Sequence, residues 1–215
     1  EHNQRHFAEK VVYLPDTYMP TDSSRAIAAR PSRAGAGLPD KGFVFCAFNN
    51  SYTFSPDVFD VWMRLLAAVE VSVLWLSGAN DVTRRNLVRE AEARGIAGTR
   101  LVFAPYVTSG AEHLARLGLA DLFLDTRPYN AHSSASDALW AGCPLVTRVG
   151  DTFASRVAGS LLNAVGLPEL AVSSDAELDE LAVSIAQDTS RRAALKEHLE
   201  QGRMTFALFD NPRFV

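Results

Sequence analysis

The sequence predicts an α/β protein built on a doubly wound parallel sheet. Short apolar runs alternate with helical stretches along most of the chain. The runs are apolar throughout instead of alternating with polar residues, which is typical of strands covered on both faces. Hydrophobic residues make up 47% of the chain and charged residues 21%, the composition of a globular core.

The predicted strands are short runs rich in Val, Leu and Phe. They cover residues 43–48, 71–77, 100–105, 120–126, 143–149 and 169–172. Cys46 and Cys143 lie in two of these runs. Both are therefore predicted to be buried, reduced thiols, which fits a reducing cytoplasm.

The predicted helices lie between these strands and after the last one. Pro56 and Asp57 open the first helix, and Gly95 ends the second. Ser174 and Glu177 form a capping box for a helix near the C-terminus. Five helical stretches cover residues 82–94, 110–118, 151–166, 177–187 and 190–204. Two more begin at residue 56 and at residue 132 or 133.

Two regions of the chain differ in character. Residues 1–42 are predicted to be an irregular lead-in and loop, and residues 43–215 an α/β lobe. The part rich in Ser, Arg, Ala and Gly, residues 20–42, is expected to be an exposed loop. The chain begins with Glu1 instead of Met, so we expect it to be a piece of a longer protein.

Composition and missing motifs exclude several classes of protein. The formal net charge of −4, without a basic block, argues against a nucleic-acid binder. The sequence has no apolar run of about 20 residues that could span a bilayer. It also lacks the glycine fingerprints of dinucleotide-binding and phosphate-binding loops, and C-x-x-C and H-E-x-x-H zinc motifs. We therefore expect a cytoplasmic protein without a metal site.

The stretch PYNAHSSASDALWAG, residues 128–142, is the most informative one. It follows a predicted strand, so it lies where parallel α/β sheets bind ligands. The first turn of its helix presents unpaired N–H groups, and His132, Ser133 and Ser134 add further donors. Asp137, on the second turn, could receive two sugar hydroxyls. The residues alone leave two interpretations open: an anion site, or a capped helix with a packed histidine.

Two other pieces have polar residues after predicted strands. Asn49 and Asn50 follow the first strand, where their amides could face the same cleft or serve as ordinary turn residues. His113 and Arg116 are three residues apart on a short helix and share a face. The guanidinium could stack on a base or bind phosphate, or it could simply be solvated.

Together these pieces resemble a known family. The order is FNNSY, then SVLWL, then a loop with His and Arg, then LADLFLDT and PYNAHSSASDALWAGCPLVT, and finally GDTFASRVAGSLL. A chain with these motifs in this order resembles the C-terminal catalytic lobe of O-GlcNAc transferases and SPINDLY-type proteins. These are GT-B glycosyltransferases with an N-terminal tetratricopeptide superhelix. The resemblance covers roughly residues 6–210 and includes AEKVVYLPDTY.

The resemblance implies transfer of GlcNAc from UDP-GlcNAc to Ser or Thr of proteins, with inversion and without a metal or other cofactor. Residues 43–215 would be the sugar-nucleotide-binding lobe, and His132 the candidate catalytic residue. The matching positions are His132, Ser133 and Ser134 at the diphosphate, Asp137 at the ribose, Asn50 near the phosphates, and His113 and Arg116 beside the uracil. The implied partners are a protein acceptor, the N-terminal catalytic lobe and the tetratricopeptide repeats of the parent chain.

Two departures from the family pattern concern lysines. The family usually has lysine where this chain has Thr53, and often where it has Gly110. A diphosphate leaving group develops negative charge, and losing one cation aimed at it costs on the order of 10²–10³ in rate in comparable cases. We expect the chain on its own to be weakly active or inactive. The alternatives are a SPINDLY-type fucosyltransferase using GDP-fucose, disfavoured by His132, and a degenerate nucleotide-binding or scaffold module.

Overall fold

A computed structural model of the chain describes residues 4–214. The strands are β1 (Phe43–Ala47), β2 (Ser72–Leu76), β3 (Leu101–Phe103), β4 (Leu122–Leu124), β5 (Leu145–Arg148) and β6 (Ala171–Val172). The helices are α1 (Pro56–Ala68), α2 (Asp81–Ala93), α3 (Gly110–Leu117), α4 (Ser133–Trp140), α5 (Val157–Ala164), α6 (Asp175–Gln187), α7 (Thr189–Gly202) and the short α8 (Asn211–Phe214). Residues 1–3 of the predicted lead-in and the last residue of the predicted lobe lie outside the described range.

The strands form one six-stranded sheet in the order β3-β2-β1-β4-β5-β6. All the strand pairs are parallel, so the predicted doubly wound α/β fold is confirmed. The chain moves outward from β1 to β3 and then crosses to β4, which pairs with the other side of β1 through Phe45↔Leu122 and Cys46↔Phe123. The loops after β1 and β4 therefore diverge in opposite directions. They leave a crevice at the carboxyl ends of these strands.

The predicted helix at residues 151–166 begins later than the sequence pattern suggests. Helix α5 starts at Val157, because the residues before it form a turn held by their own side chains. Thr152 N donates to the Ser155 hydroxyl at 3.0 Å, and Gly150 N donates to the Ser155 carbonyl at 2.9 Å. Hydroxyl side chains compete in this way with helical hydrogen bonds.

The core lies on both faces of the sheet, as uninterrupted apolar strands require. Its largest fully buried side chains include Trp62 and Trp75. Cys46 and Cys143 are buried free thiols, and burial raises the pKa of the Cys46 thiol well above its usual value. The predicted buried, reduced cysteines are confirmed. In the described part of the chain, every helix is too short or too polar to cross a membrane.

The lead-in, defined here as residues 4–42, has only short 3₁₀ turns at Gln4–His6 and Ala34–Ala36 as regular structure. The rest of the lead-in is irregular, but residues 20–42 are not the free exposed loop that was expected. Thr21 packs on α4, where its hydroxyl lies 2.7 Å from that of Ser136. Ala28 N donates to the carbonyl of Ala111 on α3 at 3.1 Å.

The lead-in is also tied to the amino end of the sheet. Arg33 donates to the Asp121 carboxylate at 2.8 Å, and the same carboxylate oxygen accepts from Val44 N at 2.9 Å. Lys196 of α7 lies 3.4 Å from the other oxygen of Asp121. The lead-in therefore forms an additional layer over α3 and α4.

Candidate functional site

The loop between β4 and α4 is fixed by a buried carboxylate. Asp125 Oδ1 accepts from Thr126 N at 2.7 Å and from Ala131 N at 2.6 Å. Its Oδ2 accepts from the Thr147 hydroxyl at 2.6 Å. Asp125 thus ties the end of β4 to β5 and to the residue immediately before His132.

Burial raises the pKa of Asp125 to about 7, although its three hydrogen bonds favour the ionised form. Burial outweighs them because an ionised carboxylate loses its hydration inside a protein. Asp125 is not among the residues that the sequence predicted for the site. Its only signal was a carboxylate at the end of an apolar strand, which does not reveal the partners that converge on it.

A chain of hydrogen bonds joins the loops after β1 and β4 across the crevice. Asn49 Nδ2 donates to the Thr126 hydroxyl at 2.7 Å, and this hydroxyl donates to the Tyr129 carbonyl at 2.8 Å. The buried Asn130 donates from Nδ2 to the Thr126 carbonyl at 2.9 Å. The Arg127–Pro128 peptide bond in this loop is cis. The three hydrogen bonds connect this loop to the turn after β1 and to its own backbone just before His132.

Helix α4 directs its amino end toward the crevice. Its N-cap, His132, makes no side-chain capping hydrogen bond, so the first-turn amides and the dipole remain available for an anion. Ser133 is exposed and Ser134 is half-buried at this end. The geometry therefore brings together the three residues predicted to hold a diphosphate.

The His132 imidazole is held between aromatic residues. Its ring stacks on Tyr129 at a centroid distance of 4.7 Å, and its Nδ1 lies 3.2 Å from the Tyr18 hydroxyl. Burial lowers the pKa of His132, against a smaller opposing effect of the Ala154 backbone. The ring is therefore mostly neutral near pH 7. Tyr18 was missed because it lies in the lead-in, which has no periodic pattern.

Asp137 lies on α4, one turn beyond the first. One of its oxygens pairs with Nη1 of Arg25, a lead-in residue. Its other oxygen lies 3.9 Å from Nε2 of His113. Arg25 was also missed, because nothing in the sequence indicates that the lead-in reaches α4.

His113 and Arg116 share one face of α3, as predicted. Nδ1 of His113 lies 3.0 Å from Nη2 of Arg116, whose guanidinium carbon is 5.0 Å from the centre of the Phe48 ring. Burial, helped by the charge of Arg116 and opposed by Asp137, lowers the pKa of His113. The pair is therefore a neutral imidazole beside a cation.

Beyond Arg116 the crevice opens into a cavity of about 310 Å³. Its walls are largely apolar. They come from the lead-in, from the ends of β2 and β3 and from α3: Ala29, Pro31, Trp75, Pro105, Val107 and Arg116 among others. A flat, partly apolar group could enter here and stack on the guanidinium.

Asn50, Thr53 and Gly110 lie at the edge of this arrangement. Asn50 is exposed, and its Nδ2 donates to the Tyr52 hydroxyl at 3.0 Å. Thr53 donates its hydroxyl to the Asn50 carbonyl at 2.7 Å, so both belong to the turn after β1. Asn49, not Asn50, contacts the loop after β4. Gly110 is the first residue of α3, and a Cβ there would meet nothing within 4 Å.

The groups follow one another along the crevice in a fixed order. The amino end of α4 with His132 comes first, then the Asp137 carboxylate, then His113 and Arg116, and then the cavity. This order suits a ligand with an anionic group, adjacent hydroxyls and a planar ring. Among residues 4–214, no three His, Cys, Asp or Glu side chains are grouped so as to hold a metal ion.

Comparison with known sequences gives one consistent family. The profile described as glycosyl transferase family 41 matches residues 21–215. The probable UDP-N-acetylglucosamine–peptide N-acetylglucosaminyltransferase SEC of Arabidopsis thaliana is 35% identical over 97% of this chain and 22% of its own length. The UDP-N-acetylglucosamine–peptide N-acetylglucosaminyltransferase of Caenorhabditis elegans is 37% identical over 83% of this chain and 16% of its own length. The chain thus spans about a fifth of these relatives.

Solved structures agree with this comparison. A mutant of the Thermobaculum terrenum O-GlcNAc transferase superposes with a TM-score of 0.78 at 31% identity, over 94% of this chain and 37% of its own. The C-terminal domain of a group 1 glycosyl transferase from Francisella tularensis superposes with a TM-score of 0.61 at 10% identity, over 86% of this chain and 97% of its own. At that identity the second match concerns the fold alone, and it shows that the fold is that of a C-terminal glycosyltransferase domain.

Proposed function

The chain belongs to glycosyl transferase family 41, and from that premise we propose that it is the donor-binding lobe of a protein O-GlcNAc transferase. The proposed donor is UDP-GlcNAc, and the acceptors are Ser or Thr hydroxyls of proteins. The matching relatives carry names of peptide N-acetylglucosaminyltransferases, which supports this choice. The rest of the parent chain would supply an N-terminal catalytic lobe and tetratricopeptide repeats, and we propose that the parent is cytoplasmic.

The order of groups along the crevice carries the proposal. The diphosphate would lie on the amino end of α4, with Ser133, Ser134 and His132 as donors. The ribose would lie beside Asp137. The uracil would lie beside His113 and Arg116, at the mouth of the cavity of about 310 Å³. Asn50 would contribute a polar contact near the phosphates.

The proposed reaction is a displacement at the anomeric carbon of GlcNAc. A bond forms between this carbon and the acceptor hydroxyl oxygen, while its bond to the phosphate oxygen breaks and UDP leaves with the electron pair. The hydroxyl proton passes to a base that the acceptor side provides. Negative charge grows on the leaving diphosphate, where the dipole of α4 and a hydrogen bond from His132 stabilise it.

Neutral His132 fits this role. An imidazole whose pKa is lowered by burial can donate one N–H to the diphosphate, and the negative charge of a bound diphosphate raises that pKa again and favours uptake of a proton from solvent. We propose that these protein groups meet the leaving-group charge without a metal ion. An affinity for UDP that stays the same when a metal chelator is added would support this part of the proposal.

Calorimetric titration with UDP, UDP-GlcNAc and GDP tests the function. We expect UDP and UDP-GlcNAc to bind and GDP to bind at least tenfold more weakly. His132→Ala and Asp137→Ala should each lower the affinity for UDP by about tenfold or more, the usual effect of losing a charge-assisted hydrogen bond. Asp81→Ala, which changes an exposed carboxylate on α2, serves as the matched control and should leave the affinity unchanged.

Other outcomes contradict the proposal in distinct ways. A preference for GDP would replace it by the fucosyltransferase alternative. If no nucleotide bound the folded protein, the lobe would be a scaffold module. A transfer assay with the full-length parent, before and after Thr53→Lys, then separates an active enzyme from a degenerate one.

A further inference from the structure

The carboxylate assigned to the ribose already has a cationic partner. Arg25 of the lead-in contacts Oδ1 of Asp137, and both side chains are about one quarter exposed, at 22% and 26%. Oδ2 lies on the side of His113, at 3.9 Å from its Nε2. The two oxygens of Asp137 therefore have different surroundings.

Arg25 is held through both its guanidinium group and its backbone carbonyl. Its Nε donates to the Asp22 carbonyl at 3.2 Å, and its guanidinium carbon lies 5.3 Å from the centre of the Trp140 ring. The Trp140 indole N–H donates to the Arg25 carbonyl at 3.2 Å. Trp140 belongs to α4, as Asp137 does, so the lead-in and the helix hold the arginine in one place relative to the carboxylate.

These contacts favour one of two roles for Arg25, which could either compete with the nucleotide for Asp137 or hold Asp137 in place. An arginine that competes with the nucleotide would have to leave Asp137 when the ribose arrives. Arg25 would then lose its stacking on Trp140 and its bond to Asp22 as well. A fixed arginine instead occupies one carboxylate oxygen permanently and limits the rotation of the Asp137 side chain. The second oxygen then stays directed at the crevice.

We propose that Arg25 is a positioning residue that makes the lobe selective for ribose over deoxyribose. It holds Oδ1 of Asp137 so that Oδ2 accepts a ribose hydroxyl. A carboxylate fixed in advance loses less rotational freedom on binding, so the hydroxyl contributes more to affinity. This inference rests on the proposed nucleotide function of the same site.

The test compares UDP with 2′-deoxy-UDP and 3′-deoxy-UDP by calorimetry on the 215-residue protein. We expect the unchanged protein to prefer UDP over at least one deoxy analogue by about tenfold, the usual effect of a hydrogen bond to a charged group. Arg25→Gln should reduce this ratio to below about threefold while the affinity for that deoxy analogue changes little. Asp137→Asn should reduce it similarly, and the double variant should add nothing.

Two further variants separate positioning from structural support. Arg25→Met keeps an apolar stem over Trp140 without the charge and should also lose the ribose preference. Arg30→Gln removes another lead-in arginine, which pairs with Glu200 at 3.0 Å, and should keep the preference. Thermal unfolding of each variant shows whether it is folded.

The outcomes that overturn the inference differ from those that overturn the function. If Arg25→Gln and Arg25→Met lower the affinities for UDP and for the deoxy analogues equally, Arg25 has only a structural role. If they strengthen UDP binding, Arg25 is a competitor. Either result overturns the inference about Arg25 and leaves the proposed nucleotide-binding function standing. An unchanged protein that binds no UDP overturns both the inference and the proposed function.

Discussion

Position 110, at the start of α3, offers room for an added side chain beside the proposed nucleotide site. Gly110 lies one turn before His113 on the same helical face, and the space around its missing Cβ is open. We predict that Gly110→Lys increases the affinity for UDP by about two- to fivefold, the usual effect of a partly exposed ion pair. Calorimetry at low and high salt measures the gain, which should shrink with salt.

Gly110→Gln is the matched control for this change. It adds a side chain of similar length and also removes the glycine, but it carries no charge. An equal gain in both variants would mean that a stiffer helix start, not the cation, improves binding, and the prediction would then be wrong.

Single residues of the site were predictable where their spacing in the sequence fixes their spacing in space. Ser133, Ser134 and Asp137 lie on α4 with His132 at its N-cap, and His113 and Arg116 lie on α3, so local geometry brings each set together. Arg25 and Tyr18 were not predictable. Arg25 meets a partner 112 residues away, and no local rule relates an irregular segment to a helix that follows it at that distance.

Asp125 connects several elements of the fold. It joins the end of β4 to Thr147 of β5 and to the Ala131 amide, and so it sets the position at which α4 begins. With a pKa of about 7, the folded protein keeps the proton that the unfolded chain releases near pH 4. Between these pH values the folded state binds more protons, so this group makes the protein less stable as pH rises.

We predict that Asp125→Asn removes this dependence. The asparagine Oδ1 can accept from the two backbone amides, and its Nδ2 can donate to Thr147. The stability of the unchanged protein relative to the variant should fall between pH 4 and pH 7 by at most about 1.4 kcal/mol per pH unit, and then level off. Urea unfolding at several pH values measures the difference.

Asp40→Asn, at an exposed position, provides the reference curve. It should run parallel to that of the unchanged protein through the same pH range. Parallel curves for Asp125→Asn as well would show that the buried carboxylate does not hold a proton, which is the result that contradicts the prediction.

The elements themselves were predictable because an apolar strand covered on both faces leaves a plain signal in the sequence. Their ends were less so. The start of α5 depends on whether Ser155 and Thr152 bond to each other or leave the backbone free for a helix, and the sequence alone does not decide that competition. The order of the strands was not predicted, because the alternation of strand and helix with right-handed crossovers is compatible with more than one order in a doubly wound sheet.

For the molecule as a whole, the lead-in is part of the folded body. Arg25 is bound to Asp137 and Arg33 to Asp121, whereas Lys10 is exposed. A protease cuts most readily where the backbone is exposed and free of buried contacts, so a segment held by such contacts must first unfold locally. We predict that trypsin cleaves after Lys10 at least tenfold faster than after Arg25 or Arg33. Mass spectrometry of a digestion time course gives the three rates.

Urea below the unfolding midpoint provides the control for this digestion. Cleavage after Arg25 and Arg33 should accelerate with urea in step with global unfolding, because the open state limits these cuts, while cleavage after Lys10 should change little. Equal rates at the three positions in buffer would show that the lead-in detaches on its own.

The contacts of the lead-in also determine where the lobe can be exchanged between related proteins. A chimera joined at residue 42 would keep every strand of the sheet. It would lose the side chains of Arg25 and Tyr18, so Asp137 would lose its cationic partner and His132 its contact with the Tyr18 hydroxyl. A transplanted lobe would keep both contacts only if the junction lay before Thr17, a buried residue that precedes both of these side chains.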